Sequence, residues 1–237
     1  MARGGLAMKS DRQTLCRGFT LVELLVALAI SGLLMTAIFA AFQSQQRSYL
    51  AQDQVAEVQQ NIRFGLDFMV REIRMAGYDP TRTGLLGIKE ATPARFGFNQ
   101  DLNADGDIAG TDESVVYGFK DEFDSEPDGI VDDLNGDGIA NDVAPLGRDA
   151  GDGFEAVVEN IQAIEFRYLD KDGEETSVLD LIRSVQISLL ARAAHPDSQY
   201  TNSDTYTTSS GEVWGPYNDN FRRRFQTITV NLRNLDL

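Results

Sequence analysis

Arg17-Gly18-Phe19-Thr20-Leu21-Val22-Glu23-Leu24-Leu25-Val26 opens an apolar run that continues to Phe42, 24 residues from Phe19 with a single charge, Glu23. As a helix rising 1.5 Å per residue, such a run spans roughly 36 Å, enough to cross the hydrocarbon core of a bilayer. Ahead of it stand Arg3, Lys9, Arg12 and Arg17 against one acid, Asp11. Basic residues before a span predict that they stay on the cytoplasmic side while the rest of the chain crosses. The run is too long for the apolar core of an ordinary secretory signal, and no small-x-small cleavage site follows it, so a retained anchor is the better reading. A carboxylate inside such a span costs about 2.5–3.5 kcal/mol and is rarely placed there without a partner. Glu23 therefore has to be met by something; the plainer alternative is a generic single-pass anchor with a glutamate tolerated near the interface.

Gly18-Phe19-Thr20-Leu21-x-Glu23 resembles the signature of type IV prepilins and type II secretion pseudopilins. The resemblance implies a leader, residues 1–18, cut by prepilin peptidase between Gly18 and Phe19, with N-methylation of the new Phe19 amine. It also implies an assembly role for Glu23, four residues downstream of that amine. Within a filament, the Glu23 carboxylate would neutralise the Phe19 ammonium of a neighbouring subunit and offset two burial costs with one contact.

Downstream, the pattern turns amphipathic without a break. Val55, Val58, Ile62, Leu66, Met69 and Ile73 recur at spacings of three and four, the mark of one helical stripe. With no proline before Pro80, and Gly77 as a stop, one helix is expected from about Thr20 to Ala76. Its second half should lie against a sheet, with a coiled coil as the plainer alternative. Alternation at Phe96 and Phe98, Tyr117 and Phe119, Ile164, Phe166 and Tyr168, Val185, Ile187 and Leu189, and Ile228, Val230 and Leu232 predicts antiparallel strands. His195 to Asn220, rich in Ser, Thr, Asn, Asp and Tyr, reads as a long surface loop.

The expected fold class is α+β, a long N-terminal helix packed on an antiparallel β-sheet head that carries acidic loop insertions. Its divisions are 1–18 leader, 19–42 apolar helix, 43–79 amphipathic continuation and 80–237 β-rich head, with the acidic loops at 99–152. The Arg71 to Tyr78 helix end, the Val158 to Tyr168 strand, Ile182 to Arg192 and Arg223 to Leu235 resemble PilW-type minor pilins, which implies the pilin-like form of this fold. Two departures weaken a major-pilin reading: the only cysteine, Cys16, lies in the leader, and the anchor helix has no proline.

Charge is concentrated in the head. The chain carries 37 acidic and 21 basic residues, a net charge of -16, and Asp101 to Asp152 alone holds sixteen acids against Lys120 and Arg148. This balance opposes extended contact with nucleic-acid phosphate. Within the stretch, Asp101-Leu102-Asn103-Ala104-Asp105-Gly106-Asp107-Ile108-Ala109-Gly110-Thr111-Asp112 follows the calcium loop D-x-[DN]-x-[DN]-G-x5-E, with Asp112 where the bidentate glutamate usually sits. Side-chain oxygens at 101, 103 and 105 converge on one ion, Gly106 permits the turn, the Asp107 carbonyl adds a ligand, and Glu113 is a substitute for the shorter Asp112. Ile108 is expected to pin the loop to the core.

A second cluster, Asp133-Leu134-Asn135-Gly136-Asp137-Gly138, repeats the first half, and Asp128-Gly-Ile-Val-Asp-Asp recurs nine residues later as Asp137-Gly-Ile-Ala-Asn-Asp. Ala144 occupies its twelfth position, so Asn141, Asp142 or the Glu126 to Asp132 stretch would have to supply the remaining oxygens. Solvated Asp/Asn/Gly turns are the alternative to one or two calcium ions. Bound divalent cations would relieve the mutual repulsion and order the segment.

No positioned nucleophile stands out, and the lone histidine, His195, precedes Pro196 in the polar loop, so no enzyme is expected. The resemblance implies a minor pilin that initiates or caps a type IV pilus. Its partners would be other minor and major pilins, prepilin peptidase, the pilus assembly machinery and the inner membrane, with the head periplasmic before assembly and extracellular afterwards. A J-type pseudopilin of type II secretion and a membrane-tethered calcium-dependent adhesion or sensing module remain the alternatives.

Overall fold

The computed structural model describes residues 18–84 and 86–235; the leader through residue 17, with Cys16, lies outside the described residues. Two compact units separate between Tyr49 and Leu50. Helix α1, Leu21–Ile73, runs 53 residues and contributes to both. Its segment before Leu50 exposes its apolar side chains, Leu24, Leu28, Leu34, Ile38 and Phe42 among them. Among the described residues, α1 is the one helix long and apolar enough to cross a membrane.

The second unit buries the other end of α1. Val58, Ile62, Leu66, Met69 and Ile73 of the predicted stripe are enclosed, joined by Gly65 and Val70, while Val55 stays exposed at the start. The helix ends three residues short of Ala76 because its last turn tightens: Met75 N–H donates to the Glu72 carbonyl (2.8 Å) and Ala76 N–H to that of Ile73 (3.1 Å). Gly77 then takes a left-handed conformation (φ 74°), and its N–H leaves the helix for the Asn99 carbonyl at 2.9 Å.

The sheet is antiparallel throughout, with strands β1 (Ile88–Ala91), β2 (Phe96–Asn99), β3 (Ser114–Gly118), β4 (Ala144–Asp149), β5 (Phe154–Leu169), β6 (Ser184–Arg192) and β9 (Arg223–Asn231) in the spatial order β1-β2-β3-β4-β5-β6-β9. All five predicted alternating segments face the core, with Phe119 and Leu232 just past the ends of β3 and β9. Period-two alternation works here because one face of the sheet meets the helix stripe. The acidic segment fills two connections of this meander, β2 to β3 and β3 to β4.

Residues 195–220 form more than a surface loop. They contain a hairpin of β7 (Tyr206–Thr207) and β8 (Val213–Trp214), which lays Trp214 over Ala163 and Leu190 on the second face of the sheet. Three arginines fasten this cover by stacking on aromatic rings: Arg192 on Phe221 (4.0 Å to the centroid), Arg223 on Tyr217 (4.1 Å) and Arg222 on Tyr200 (4.3 Å). The sequence signal was weak because these pairs are separated along the chain and carry no periodicity.

Helix and sheet approach closely at Gly65, where an added Cβ would lie 2.8 Å from Val158 Cγ1 and 3.0 Å from its Cβ. Alanine improves helix propensity by up to about 1 kcal/mol, but overpacking a core costs roughly 1–3 kcal/mol. Gly65→Ala should therefore lower the unfolding free energy by about 1 kcal/mol in a denaturant titration, against the trend expected of an exposed helical glycine.

Candidate functional site

The first candidate site is the start of α1. Thr20 caps the helix: Glu23 N–H donates to Thr20 Oγ1 (3.2 Å), while Glu23 Oε2 accepts the Thr20 N–H (2.9 Å) and hydroxyl (3.0 Å). This reciprocal arrangement is a capping box, which satisfies helix N–H groups left without intrahelical partners. The carboxylate thus has a partner within its own chain, Thr20, which the sequence reading passed over although T-x-x-E before an apolar run is a known signal. Gly18 and Phe19 lie exposed beside it.

The second is the acidic segment, where one device occurs three times. In the first loop, Asp101 is fully buried and its Oδ2 accepts the Gly106 N–H and the Thr81 hydroxyl, both at 3.1 Å; its Oδ1 is buried with no hydrogen-bond donor. In the next, the Asp124 carboxylate accepts the Asp128 (3.2 Å) and Gly129 (3.0 Å) N–H groups. In the last, Asp133 accepts those of Gly136, Asp137 and Gly138. Each is an Asp-x-x-x-Asp-Gly unit with its glycine left-handed, φ 83–86°.

A later acid then reaches back to the N–H that follows the first aspartate. Glu113 Oε1 accepts Leu102 and Asn103 N–H (3.2 and 3.3 Å), Asp132 Oδ2 accepts Ser125 N–H (2.9 Å), and Asp142 Oδ2 accepts Leu134 and Asn135 N–H (2.8 and 2.9 Å). Hydrogen bonds to the charged form lower a carboxyl's pKa: the Ser125 hydroxyl, then its N–H, hold Asp132 below the usual range, and the Gly138 N–H leads the donors that do so for Asp133. Asp124 is shifted the other way, upward, chiefly by burial.

The structure sorts the sequence-predicted residues. Asn103, Asp105 and Asp107 lie in a run of Asx turns, with Asn103 Oδ1 accepting Asp105 N–H (2.8 Å), Asp105 Oδ1 accepting Asp107 N–H (2.9 Å) and Asp107 Oδ1 accepting Ala109 N–H (2.8 Å). Carboxylate oxygens of Asp105, Asp107 and Glu113 lie within 4.8 Å of one another, close enough to share a cation. Asp112 is turned out of the group, and Ile108 is exposed, so it does not pin the loop to the core. In the last loop the Asp137 N–H donates to Asp133 (3.2 Å) and Asn135 (2.8 Å) and Asn135 Nδ2 to Asp142 Oδ1 (3.2 Å), while the Asp137 carboxylate turns to the Ile139 N–H and Asn141 faces away: its Nδ2 donates to Asp219 Oδ2 (3.2 Å) and its carbonyl accepts from Arg192.

Asp112 instead joins a cluster that sequence reasoning missed. Its carboxylate lies 2.6 Å from Nη2 of Arg148 in β4, and Arg148 Nε donates to both oxygens of Glu72 near the end of α1 (2.9 and 3.0 Å), where the Tyr117 hydroxyl also donates. Burial, reinforced by the Glu72 charge, pushes the Tyr117 hydroxyl pKa up, and the Glu72 hydrogen bond raises that of Arg148. Arg148 was visible only as one of two bases in an acidic stretch.

Two segments of the chain match known family models. Residues 147–234 match the family model described as type IV pilus-assembly protein W, and residues 14–39 match the prokaryotic N-terminal methylation motif. No curated protein matches. Among solved structures, a type IV-like pilin from Thermus thermophilus is similar at 13% identity and a TM-score of 0.41, covering 76% of this chain and 98% of that one. The three acidic loops lie outside both family-matched segments.

Removing one member of a buried ion pair leaves the other uncompensated, at a cost of about 3–5 kcal/mol. With the Arg148 side chain 10% exposed and that of Glu72 17%, Arg148→Leu should destabilise the protein by an amount in that range, and adding Glu72→Leu should recover much of the loss in a double-mutant cycle.

Proposed function

We propose that this PilW-like type IV pilin, a structural protein and not an enzyme, serves as a minor pilin that initiates or caps a type IV pilus and has a calcium-stabilised head. Prepilin peptidase cuts between Gly18 and Phe19, the Phe19 amine is methylated, and the apolar start of α1 holds the subunit in the inner membrane with its head in the periplasm. Assembly then transfers the helix into a filament of minor and major pilins. The observation that carries this reading is the combination, at one helix end, of the methylation motif with an exposed apolar surface bearing a single carboxylate. An apolar surface of this extent is stable only in lipid or against other such helices.

Calcium binding rests on the first loop. Asp101, Asn103 and Asp105 offer side-chain oxygens and Asp107 its carbonyl, a hard-oxygen set of the kind calcium takes. The buried Asp101 Oδ1 without a donor supports it. An ion bound only by the folded head stabilises it by RT ln(1 + [L]/Kd), about 1.4 kcal/mol at ten times Kd.

Intact mass of the protein from membranes and sheared filaments should give a chain beginning at methylated Phe19; a chain still carrying residues 1–18 in filaments would overturn the proposal. Glu23→Ala should abolish incorporation while leaving the melting temperature of the head unchanged, and Gly18→Ala should block maturation. Asp101→Ala with Asp105→Ala should remove the calcium-induced rise in melting temperature, and an undiminished rise would place the ion elsewhere.

A further inference from the structure

Read by its motif, the first acidic loop closes on its twelfth residue, Asp112. That residue has a left-handed backbone (φ 64°), and its carboxylate is engaged 2.6 Å from Arg148 Nη2. The left-handed step is uncommon for a residue with a side chain, although aspartate is among the more tolerant. It advances the chain by one residue and brings Glu113 inward. Glu113 is 1% exposed, and its carboxylate stands within 4.8 Å of those of Asp105 and Asp107.

Two acceptors at the start of this segment are buried without a hydrogen-bond donor. Asp101 Oδ1 has no donor, although Oδ2 of the same carboxylate is held inside the turn by the Gly106 N–H. Gln100 Oε1 is likewise buried without a donor, while its Nε2 donates to the Asp112 carbonyl at 2.7 Å, on the closing arm of the same loop. Buried polar groups left unmatched are costly, and oxygens alone, with no donor supplied, are what a hard cation requires.

We propose that the first acidic loop is a thirteen-residue cation site, Asp101 to Glu113, whose closing ligand is Glu113, while Asp112 is an anchor that fastens the loop to Arg148. The assignment rests on the calcium reading of the loop and refines it. Glu113 is longer than Asp112 by one methylene, so it restores at position thirteen the reach that calcium loops ordinarily have at position twelve. The Leu102 and Asn103 N–H groups on its Oε1 and the Gly110 N–H on its Oε2 (2.7 Å) would hold its carboxylate in place beside the ion, as outer-shell contacts orient metal ligands elsewhere. The last acidic loop closes by the same grip, with Asp142 on Leu134 and Asn135.

The test is calorimetric titration of the full chain in detergent with calcium alone, with circular dichroism to check folding. Wild type should bind saturably. Glu113→Gln keeps one oxygen for the Leu102 and Asn103 N–H groups but gives up the one that accepts the Gly110 N–H (2.7 Å) and the charge, and should weaken binding at least about tenfold, the loss that even outer-shell partners of a metal produce. Asp112→Gly removes the anchor at a position where glycine is at ease, and should weaken binding less than Glu113→Gln does. Weaker binding in Asp112→Gly than in Glu113→Gln would overturn the assignment, as would wild-type affinity in Glu113→Gln; should Glu113→Gln fail to fold, Glu113→Asp takes its place in the comparison. No calcium binding by wild type would instead refute the calcium reading itself and the assignment with it.

Discussion

The contact between the Val58 to Ile73 stripe of α1 and the sheet is the constraint on which the second unit depends. A lone amphipathic helix is marginal in water, and an antiparallel sheet needs its apolar face covered. Each supplies what the other lacks. Gly65 sets how near they come, and the Glu72 to Arg148 pair closes the far end of the seam with Tyr117 beside it. The pair is a fixed point for the acidic segment as well, because the same guanidinium holds Asp112.

Most of the fold was legible in the sequence, and the reasons are periodicity and length. The stripe from Val58 to Ile73 and the alternating strands were readable because one face of each element is dry. The helix terminus was misplaced by three residues because tightened final turns leave no mark in composition. The hairpin over the second face stayed hidden for a different reason. Its core is Trp214 with Ala163 and Leu190, too few apolar residues to stand out from a polar loop, and its fastening is by stacked arginines.

At the candidate sites, legibility divided by whether chemistry followed spacing. The Gly18-Phe19 junction and Glu23 were found from a motif, and the Asp-Gly pattern of the loops from their alternation. For the acid at the end of each loop the sequence offered only alternatives, Asp112 or Glu113 in the first and Asn141, Asp142 or the Glu126 to Asp132 stretch in the last, because the choice depends on the backbone at Asp112 and on Asn141 being drawn toward Asp219. The acidic loops occupy connections between strands, where insertions disturb a sheet least.

Under the proposed assembly, the capping box at Thr20 bears on how a subunit would join its neighbours. A glutamate side chain free in solvent gives up as much as roughly 1.5–2 kcal/mol of rotamer entropy when it is fixed. Held by the Thr20 N–H and hydroxyl, Glu23 has already surrendered part of that freedom in the solitary subunit. The carboxylate therefore arrives preorganised, and the same contacts shield helix N–H groups that would otherwise go unsatisfied in hydrocarbon. In the proposed pilin, one residue would thus make the helix end tolerable in isolation and receptive in company, so that storage of the subunit and its recruitment would draw on a single geometry.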